Sequence, residues 1–447
     1  MPDPTPPAPD AAWFDDARFG LFVHWGLYAV RSSLGGKEWA VFRDRVAPAD
    51  YDRYRRYFTG DRFDARAWAR RAAAAGMRYV VFTAKHHDGF CLWRTDTTDF
   101  HVGNSALGRD VVAELAEACR AEGLRFGLYL SVWDLHEPGL DGGPAHNMDA
   151  QGSLQDDAPA WAPSPEGVGL LHAQAEELLT RYGRIDVLWF DVKRAPAAAY
   201  RGAELLERAR ELQPGILIND RLVSRAEATG PADTPDLVTP ENRIPATGLV
   251  DDAGEPLRWE TCLTTNQSWG YVRDDRSHKG GREVLNALCE ATGKGGNLLL
   301  NVGPDARGRF PEPFTEGVFA ATARWLDHSG HAVCGTRPFV HPSRGETAWH
   351  PWLTENFAWK CVYTVGEDPD RPFVHVLKAG ADRRLVVPRL DGKRVAFARC
   401  VQDGSEVPVD PGNFLTLRPD EWTLRLPLHL DPDGPLSVEL TLEDAAG

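Results

Sequence analysis

Short apolar runs that end abruptly in polar residues recur along the first three quarters of the chain. Runs of this kind, rich in β-branched and aromatic residues, are typical of strands buried in a parallel sheet. The stretch at residues 185–191 (IDVLWFD) shows the pattern most clearly, because it ends in the carboxylate of Asp191. The predicted strands are residues 19–26, 79–84, 125–132, 185–191, 216–218 and 297–302.

Segments with helical periodicity alternate with these strands. Residues 110–122, for example, place Val111, Leu115 and Cys119 on one face, and Gly123 then ends the helix. The other predicted helices are residues 65–75, 167–182, 203–212, 282–292 and 316–328.

This alternation predicts an α/β fold in which a parallel sheet is wrapped by helices. Because there are about seven or eight such units and no GxGxxG sequence opens the first, a (β/α)8-like barrel is favoured over a Rossmann sheet. The sixth unit cannot be assigned, so we expect the barrel to be irregular.

After Gly335 the pattern changes to short alternating strands separated by turns such as Asp391-Gly392 and Asp433-Gly434. This pattern predicts a C-terminal antiparallel β-sandwich of about 100 residues, which we expect to be structural. Its predicted strands are residues 373–377, 384–387, 395–398, 423–426 and 436–442. The predicted organisation is a disordered Pro-rich arm at 1–10, a catalytic barrel at 11–335 and the sandwich at 336–447.

The 447 residues carry a formal net charge of −15 at pH 7. An acidic surface repels phosphate backbones and anionic membranes, so neither nucleic acid nor a membrane is an expected partner. The seven cysteines include no CxxC pair, which argues against a disulfide framework and a zinc site. No signal peptide is recognisable, and no apolar run reaches the roughly 20 residues of a membrane span, so a cytoplasmic location is expected.

Polar or aromatic side chains stand where most of the predicted strands end. In a (β/α)8 barrel the carboxyl ends of the strands carry the active site, so these positions converge. They are His24, His86 and His87, Tyr129 with Trp133, Asp191, and residues 219–221 (NDR). The pattern favours a catalytic site over unrelated polar loops.

Three chemistries can use such a set. Metal-assisted hydrolysis would recruit the histidines and Asp191, but neighbouring strand residues point to opposite sides, and no HxH or HExxH spacing is present. A serine or cysteine nucleophile is disfavoured because there is no GxSxG sequence and no cysteine at a strand end. Glycoside hydrolysis by a carboxylate pair fits better, because Asp191 supplies one carboxylate and the histidines, arginine and tryptophans suit a sugar.

Longer motifs follow one another along the barrel region. They are residues 18–26 (RFGLFVHWG), 38–39 (EW), 76–93 (GMRYVVFTAKHHDGFCLW), 126–129 (FGLY), 188–191 (LWFD), 219–221 (NDR), 259–260 (WE), 268–271 (SWGY) and 294–304 (KGGNLLLNVGP). In sequence and order they resemble glycoside hydrolase family 29, the α-L-fucosidases. The predicted C-terminal β-domain also fits that family's architecture.

The resemblance implies an exo-acting, retaining hydrolase of fucosylated oligosaccharides or glycoconjugates, without a cofactor or metal. Asp191 would be the nucleophile that forms a covalent glycosyl-enzyme, and donors such as His24, His86 or Arg221 would keep it ionised. Trp269 would contact the apolar methyl face of fucose. The residues implied to bind substrate are His24, Glu38, Trp39, His86, His87, Tyr129, Trp133, Arg221 and Trp269. The oligomeric state is not predicted.

The acid/base of the carboxylate pair stays open at this point. Glu241, in a Thr-Pro-Glu loop, is favoured, and Glu260 is the alternative, although it could equally be structural. Glu38 is a third carboxylate that resembles a substrate-binding one. We expect the acid/base to lie about 5–5.5 Å from Asp191 and to have a raised pKa.

The sequence also departs from the family pattern. Val192 and Lys193 follow Asp191 where the family often has glycine, so we expect a positive charge close to the site and leave the accepted leaving groups open. The insert at residues 137–165, with Trp161, is a candidate wall on the aglycone side.

Three alternative functions are retained. The first is hydrolysis by the same fold of a related sugar such as an α-L-galactoside, which differs from a fucoside only at C6. A carbohydrate-binding protein without catalysis and a metal-dependent hydrolase are the other two.

Overall fold

The computed structural model describes residues 11–32, 37–44, 46–141, 161–340, 353–387, 392–413, 418–427 and 433–445. The arm predicted at residues 1–10 lies outside the described residues, as does the part of the predicted insert at 142–160. None of the helices in the described ranges has both the length and the apolar character that crossing a membrane requires.

Seven parallel strands form one sheet in the N-terminal part of the protein. They are β1 (Phe19–Val23), β2 (Tyr79–Lys85), β3 (Arg125–Ser131), β4 (Val187–Asp191), β5 (Leu217–Ile218), β6 (Glu260–Thr264) and β7 (Asn297–Val302). Their order in the sheet is β5-β4-β3-β2-β1-β7-β6. Side chains on both faces are buried, which explains the continuous apolar runs in the sequence.

A strand-like segment at residues 237–241 occupies the position between β5 and β6. Parallel bridges join it to its neighbours through the pairs Asn219–Leu237, Val238–Trp259 and Glu241–Cys262. Pro240 has no backbone N–H to donate, so a regular ladder cannot run through this segment. The predicted fold, a (β/α)8-like barrel with an irregular sixth unit, is confirmed.

The longer helices pack around the sheet at close to their predicted boundaries. Asp64, Asp110 and Ser164 cap three of them by accepting a hydrogen bond from a backbone N–H three residues further on. The helices are α1 (Ala12–Ala17), α2 (Tyr28–Arg31), α3 (Ala40–Arg43), α4 (Pro48–Asp52), α5 (Ala65–Ala74), α6 (Val111–Ala121), α7 (Pro165–Arg181), α8 (Gly202–Leu212), α9 (Gly281–Gly293) and α10 (Ala320–Ser329). A π-helical segment, Pro313–Phe319, leads into α10.

The C-terminal part consists of two antiparallel sheets, as predicted. One has the order β13-β16-β11-β10-β8, with β9 on β10, and the other has the order β12-β15-β14. The strands are β8 (Arg337–Pro338), β9 (Leu353–Glu355), β10 (Lys360–Val365), β11 (Pro372–Lys378), β12 (Arg384–Val387), β13 (Lys393–Cys400), β14 (Val409–Asn413), β15 (Arg418–Arg425) and β16 (Leu436–Asp444). Their buried side chains, such as Val374 and Leu385, form a hydrophobic cluster separate from that of the barrel.

Candidate active site

A cavity of about 300 Å³ opens where the barrel strands end. This volume lies at the lower end of the roughly 300–1,000 Å³ typical of ligand pockets. The side chains that line it are Phe22, His24, Lys37, Glu38, Trp39, Phe42, Arg43, His86, His87, Tyr129, Trp189, Asp191, Val192, Arg221, Glu241, Cys262, Gln267 and Trp269. Most of the predicted site residues are therefore brought together, although they come from distant parts of the sequence.

Asp191 stands at the end of β4 and is held by two donors. Tyr129 Oη, from the adjacent strand β3, donates to Asp191 Oδ2 at 2.8 Å, and Arg221 Nη1 donates to Oδ1 at 2.8 Å. Hydrogen bonds of this kind, one of them from a cation, stabilise the ionised carboxylate. Burial, together with the nearby charge of Asp191, raises the pKa of Tyr129 well above its ordinary value, so the phenol keeps its proton.

Arg221 connects the two carboxylates of the cavity. Its Nη1 donates to Asp191 Oδ1 at 2.8 Å and also to Glu241 Oε2 at 2.9 Å. Those two oxygens are therefore at most about 5.7 Å apart, a limit that is compatible with the roughly 5–5.5 Å separation of retaining carboxylate pairs. Burial acts to lower the pKa of Arg221, but the charges of Asp191 and Glu241 outweigh it and raise the pKa above its ordinary value.

The rest of the Arg221 side chain is also fixed. Nε and Nη2 donate to the hydroxyl and the carbonyl of Thr239, each at 3.0 Å. The guanidinium lies 4.5 Å from the centre of the Trp189 ring, a cation–π contact. The arginine is thus positioned by the irregular sixth strand and by β4 together.

The two candidate acid/base residues occupy different environments. Glu241 lines the cavity, and its side chain is 42% exposed. Glu260 is fully buried at the start of β6, where it accepts hydrogen bonds from Tyr79 Oη at 2.7 Å and Trp189 Nε1 at 2.9 Å. Burial raises the pKa of Glu260 to about 7, as an acid would require, but its side chain does not line the cavity. Geometry therefore favours Glu241 as the group that can reach a ligand.

Three buried histidines line one side of the cavity. Burial lowers the pKa of His24 and His86 well below the usual value and that of His87 to about 3, so all three rings are neutral. Asn301 Nδ2 donates to the carbonyl of Trp269, which leaves Asn301 Oδ1 to accept from His24 Nδ1 at 2.6 Å. A neutral imidazole has one N–H, so Nε2 of His24 is an acceptor for a ligand hydroxyl.

His87 is oriented in the same way. The Ser131 hydroxyl donates to the carbonyl of Trp133, so Ser131 Oγ accepts from His87 Nδ1 at 2.6 Å. Nε2 of His87, which lies 3.7 Å from Asp191 Oδ2, is therefore also an acceptor. His86 stacks on Tyr129 with ring centres 5.6 Å apart. Of the side chains expected to donate to Asp191, Arg221 does so, and Tyr129 is a further donor; no hydrogen bond from a described histidine reaches this carboxylate.

A single turn, Lys37–Trp39, forms another wall of the cavity. Glu38 is buried and accepts a hydrogen bond from the backbone N–H of Gly270 at 3.2 Å, while burial raises its pKa. The Trp39 ring packs 4.5 Å from that of His87. Trp133, predicted to bind substrate, is instead fully buried behind Trp39, with ring centres 5.6 Å apart, and does not line the cavity.

The residues after Asp191 differ from expectation. Val192 lines the cavity with φ +45°, a left-handed conformation that is unfavourable for a β-branched residue. Lys193 Nζ donates to the carbonyl of Leu222 at 2.9 Å and forms an ion pair with Glu227. Lys193 does not line the cavity, so the positive charge expected at the site is neutralised elsewhere. Trp161, from the predicted aglycone wall, packs against the barrel core and does not line the cavity either.

Sequence reasoning missed several residues of this site. Phe22 and Trp189 form apolar parts of the cavity, and Lys37 and Arg43 bring cations to it. Asn301, which orients His24, could have been found, because it stands near the end of the predicted strand at 297–302. No cluster of three or more His, Cys, Asp or Glu side chains in the described part of the chain is arranged to hold a metal ion.

A parallel barrel with two carboxylates bridged in a sugar-sized cavity, followed by a β-sandwich, defines a glycoside hydrolase. A family model described as alpha-L-fucosidase matches residues 5–331. The chain belongs to the α-L-fucosidase family, glycoside hydrolase family 29.

Individual relatives are similar over most of their length. The plasma alpha-L-fucosidase of Rattus norvegicus is 30% identical over 80% of this chain and 77% of its own. The structure of alpha-L-fucosidase isoenzyme 1 from Paenibacillus thiaminolyticus has a TM-score of 0.81 and 36% identity, and covers 97% of this chain and 99% of its own. A Bacteroides thetaiotaomicron alpha-L-fucosidase, trapped as a covalent intermediate with 2-fluoro-fucosyl fluoride, has a TM-score of 0.77 and 25% identity, and covers 97% and 95% of the two chains.

Proposed function

We propose that this glycoside hydrolase is an exo-acting, retaining α-L-fucosidase that releases terminal α-L-fucosyl residues from oligosaccharides or glycoconjugates. The observation that carries the proposal is the pairing of Asp191 Oδ1 and Glu241 Oε2 with one nitrogen of Arg221 in a small cavity. The family supplies the substrate class, and the covalent intermediate trapped in the Bacteroides enzyme supports a two-step mechanism.

In the first step, an oxygen of Asp191 attacks the anomeric carbon, and the bond from that carbon to the leaving oxygen breaks. Glu241 gives its proton to the leaving oxygen, so the aglycone departs as a neutral alcohol. Tyr129 and Arg221 position the attacking carboxylate through their hydrogen bonds to its two oxygens.

In the second step, Glu241 is a carboxylate and takes a proton from a water molecule. The water oxygen attacks the anomeric carbon, and the bond to Asp191 breaks, which restores the starting carboxylate. Two inversions at the anomeric carbon give net retention.

The walls of the cavity combine hydrogen-bond acceptors for hydroxyl groups with apolar surface for a methyl group, as a 6-deoxy sugar such as fucose requires. His24 and His87 present neutral Nε2 acceptors to hydroxyl groups, and Trp269 and Phe22 present apolar surface for a methyl group. An α-L-galactoside carries an additional hydroxyl group on that methyl carbon, and this hydroxyl group would be desolvated without a partner. We therefore expect a preference for fucose.

Hydrolysis of aryl α-L-fucosides tests the proposal. Wild-type enzyme should release nitrophenol from the fucoside faster than from the α-L-galactoside, with the same rate in the presence of a chelator. Proton NMR should show α-L-fucose as the first product. Absence of fucoside turnover would refute the proposed function, and β-L-fucose as the first product would refute retention.

Azide distinguishes the nucleophile from the acid/base. In Asp191→Ala, activity should fall about 10³-fold or more, and azide should displace the aglycone once, giving β-L-fucosyl azide. In Glu241→Ala, azide should intercept the glycosyl-enzyme and give the retained α-L-fucosyl azide. If Glu260→Ala gives this product and Glu241→Ala does not, Glu260 is the acid/base.

A further inference from the structure

Two cations stand on one wall of the cavity and take no part in the chemistry above. Lys37 and Arg43 both line the cavity, and they belong to one short segment, the Lys37–Trp39 turn continued by α3. The protein as a whole is strongly acidic, with a formal net charge of −15. A pair of cations at the cavity is therefore a local feature that the rest of the surface opposes.

The segment is held in place at a cost in backbone energy. Lys37 has φ +54°, a left-handed conformation that side chains rarely adopt. Its Nζ donates to the carbonyl of Gln267, at 2.7 Å, on the loop that follows β6. This bond ties two walls of the cavity together and fixes the ammonium group between them.

Arg43 lies outside the space next to the nucleophile. Nε2 of His87 lies 3.7 Å from Asp191 Oδ2, and the Trp39 ring packs against that of His87 with ring centres 4.5 Å apart. The guanidinium of Arg43 then lies 5.8 Å from the centre of the Trp39 ring. Arg43 is thus two side chains removed from Asp191, which places it beside the group attached to a bound sugar rather than beside the anomeric carbon.

Among the described residues Arg43 makes no ion pair, and the nearby carboxylate of Glu38 interacts with it only through its charge. No described carboxylate lies within salt-bridge distance of it, whereas Arg221 in the same cavity is engaged by both Asp191 and Glu241. A planar guanidinium supported on an aromatic face is well suited to bind a carboxylate through two parallel hydrogen bonds.

We propose that Lys37 and Arg43 form an aglycone subsite for an anionic group, so that the enzyme prefers fucosides whose neighbouring sugar carries a carboxylate. This inference rests on the proposed fucosidase function and specifies its substrate class. Arg43 makes the contact at the cavity mouth, and Lys37 adds positive charge to the same wall.

A matched pair of substrates tests the subsite: 4-carboxyphenyl α-L-fucoside and its neutral 4-carbamoylphenyl analogue. We expect kcat/KM for the acid, relative to the amide, to fall about fivefold when the ionic strength rises from 0.01 M to 1 M, where the screening length shrinks from about 30 Å to about 3 Å. Arg43→Gln should lower the acid-to-amide ratio about fivefold at low salt, and Arg43→Glu should lower it further. Arg70→Gln, which removes an exposed arginine of α5 outside the cavity, is the control and should leave the ratio unchanged.

The outcomes separate the two proposals. If the ratio of kcat/KM for the acid to kcat/KM for the amide changes neither with salt nor in Arg43→Gln, the proposed subsite is wrong, while the fucosidase function is unaffected. A fall of the same size in Arg70→Gln would also overturn the subsite, because net charge alone would then explain the effect. If wild-type enzyme hydrolyses neither fucoside, the proposed function fails and the subsite fails with it.

Discussion

Arg221 is the side chain on which the arrangement of the cavity most depends. One nitrogen serves Asp191 and Glu241, the other two bind Thr239, and the guanidinium packs on Trp189. A lysine would keep the positive charge but could not donate hydrogen bonds in the fixed directions of the three guanidinium nitrogens. We expect Arg221→Lys to lower kcat/KM for an aryl α-L-fucoside about 100-fold, because both carboxylates lose their common donor.

Arg258 provides a matched control for this substitution. It makes a similar two-bond pair with Asp15, away from the cavity. Arg258→Lys should change kcat/KM by no more than about twofold. Equal losses in the two variants would show that Arg221 acts through stability rather than by positioning the carboxylates.

The neutral histidines predict how stability depends on pH. Burial lowers the pKa of His87 to about 3, below the ordinary value of 6.5. Between these two pH values the imidazole is therefore protonated in the unfolded chain but not in the folded protein. The contribution of neutral His87 to the free energy of unfolding is complete above pH 6.5. It is lost as the pH falls toward 3, at about 1.4 kcal/mol per pH unit for each such proton. His87→Gln should therefore flatten the fall of the unfolding midpoint between pH 6.5 and pH 5.

The control for that measurement is His331→Gln, which removes an exposed histidine. Its midpoint should follow the wild-type pH dependence in parallel. A His87→Gln profile parallel to wild type would mean that His87 is already protonated in the folded enzyme.

Among the loops, the one that follows β4 combines a strained residue with a firm anchor. Val192 has φ +45°, and beyond it Lys193 is tied to Leu222 and Glu227. Relief of the strain by Val192→Gly should stabilise the protein by about 1 kcal/mol, seen as a higher midpoint of urea unfolding. We also expect kcat to fall, because a more mobile residue then follows Asp191.

Val192→Ala separates backbone strain from side-chain size. Alanine keeps a Cβ atom and hence most of the left-handed penalty, so it should not share the stabilisation. If Val192→Ala stabilises as much as Val192→Gly, crowding of the valine side chain explains the effect and backbone strain does not.

The strands that could be predicted were those whose apolar side chains fill the barrel. The run that ends at Asp191 and the strand Asn297–Val302 are buried on both faces, so their pattern is unambiguous. β6 was missed because it begins with Glu260 and contains two threonines, which look like a loop until Tyr79 and Trp189 are seen to bind the buried carboxylate.

For the active site, too, only part of the arrangement could be predicted from the sequence. Asp191 was recognised by its position at a strand end, whereas the partners of the side chains depend on contacts between distant segments. Lys193 pairs with Glu227, and Trp133 lies behind Trp39; neither relation leaves a local signal. Long-range packing, rather than local propensity, decided these outcomes.

The barrel and the sandwich are packed together through direct contacts. Trp325 of α10 donates from its indole N–H to the carbonyl of Pro435 at 3.0 Å, and Arg324 pairs with Asp433 at 2.7 Å. Val362 of β10 belongs to the hydrophobic core of the barrel. These contacts support a structural role for the sandwich, since its strand β10 completes the packing of the catalytic part.

The packing of Gly293 against Val362 of β10 gives a direct test of that role. Gly293 ends α9, and a Cβ atom added there would lie 2.5 Å from Cβ of Val362. Gly293→Ala should therefore force the sandwich away from the barrel and destabilise the protein by about 1–3 kcal/mol, measured by urea unfolding. Gly169→Ala is the matched control, because Gly169 occupies an exposed position of α7 where an added Cβ atom meets nothing within 4 Å, and this change should stabilise the protein by about 0.5–1 kcal/mol. Both variants should retain wild-type kcat/KM, because neither residue lines the cavity. If Gly293→Ala unfolds like wild type, the contact between β10 and α9 does not support the barrel.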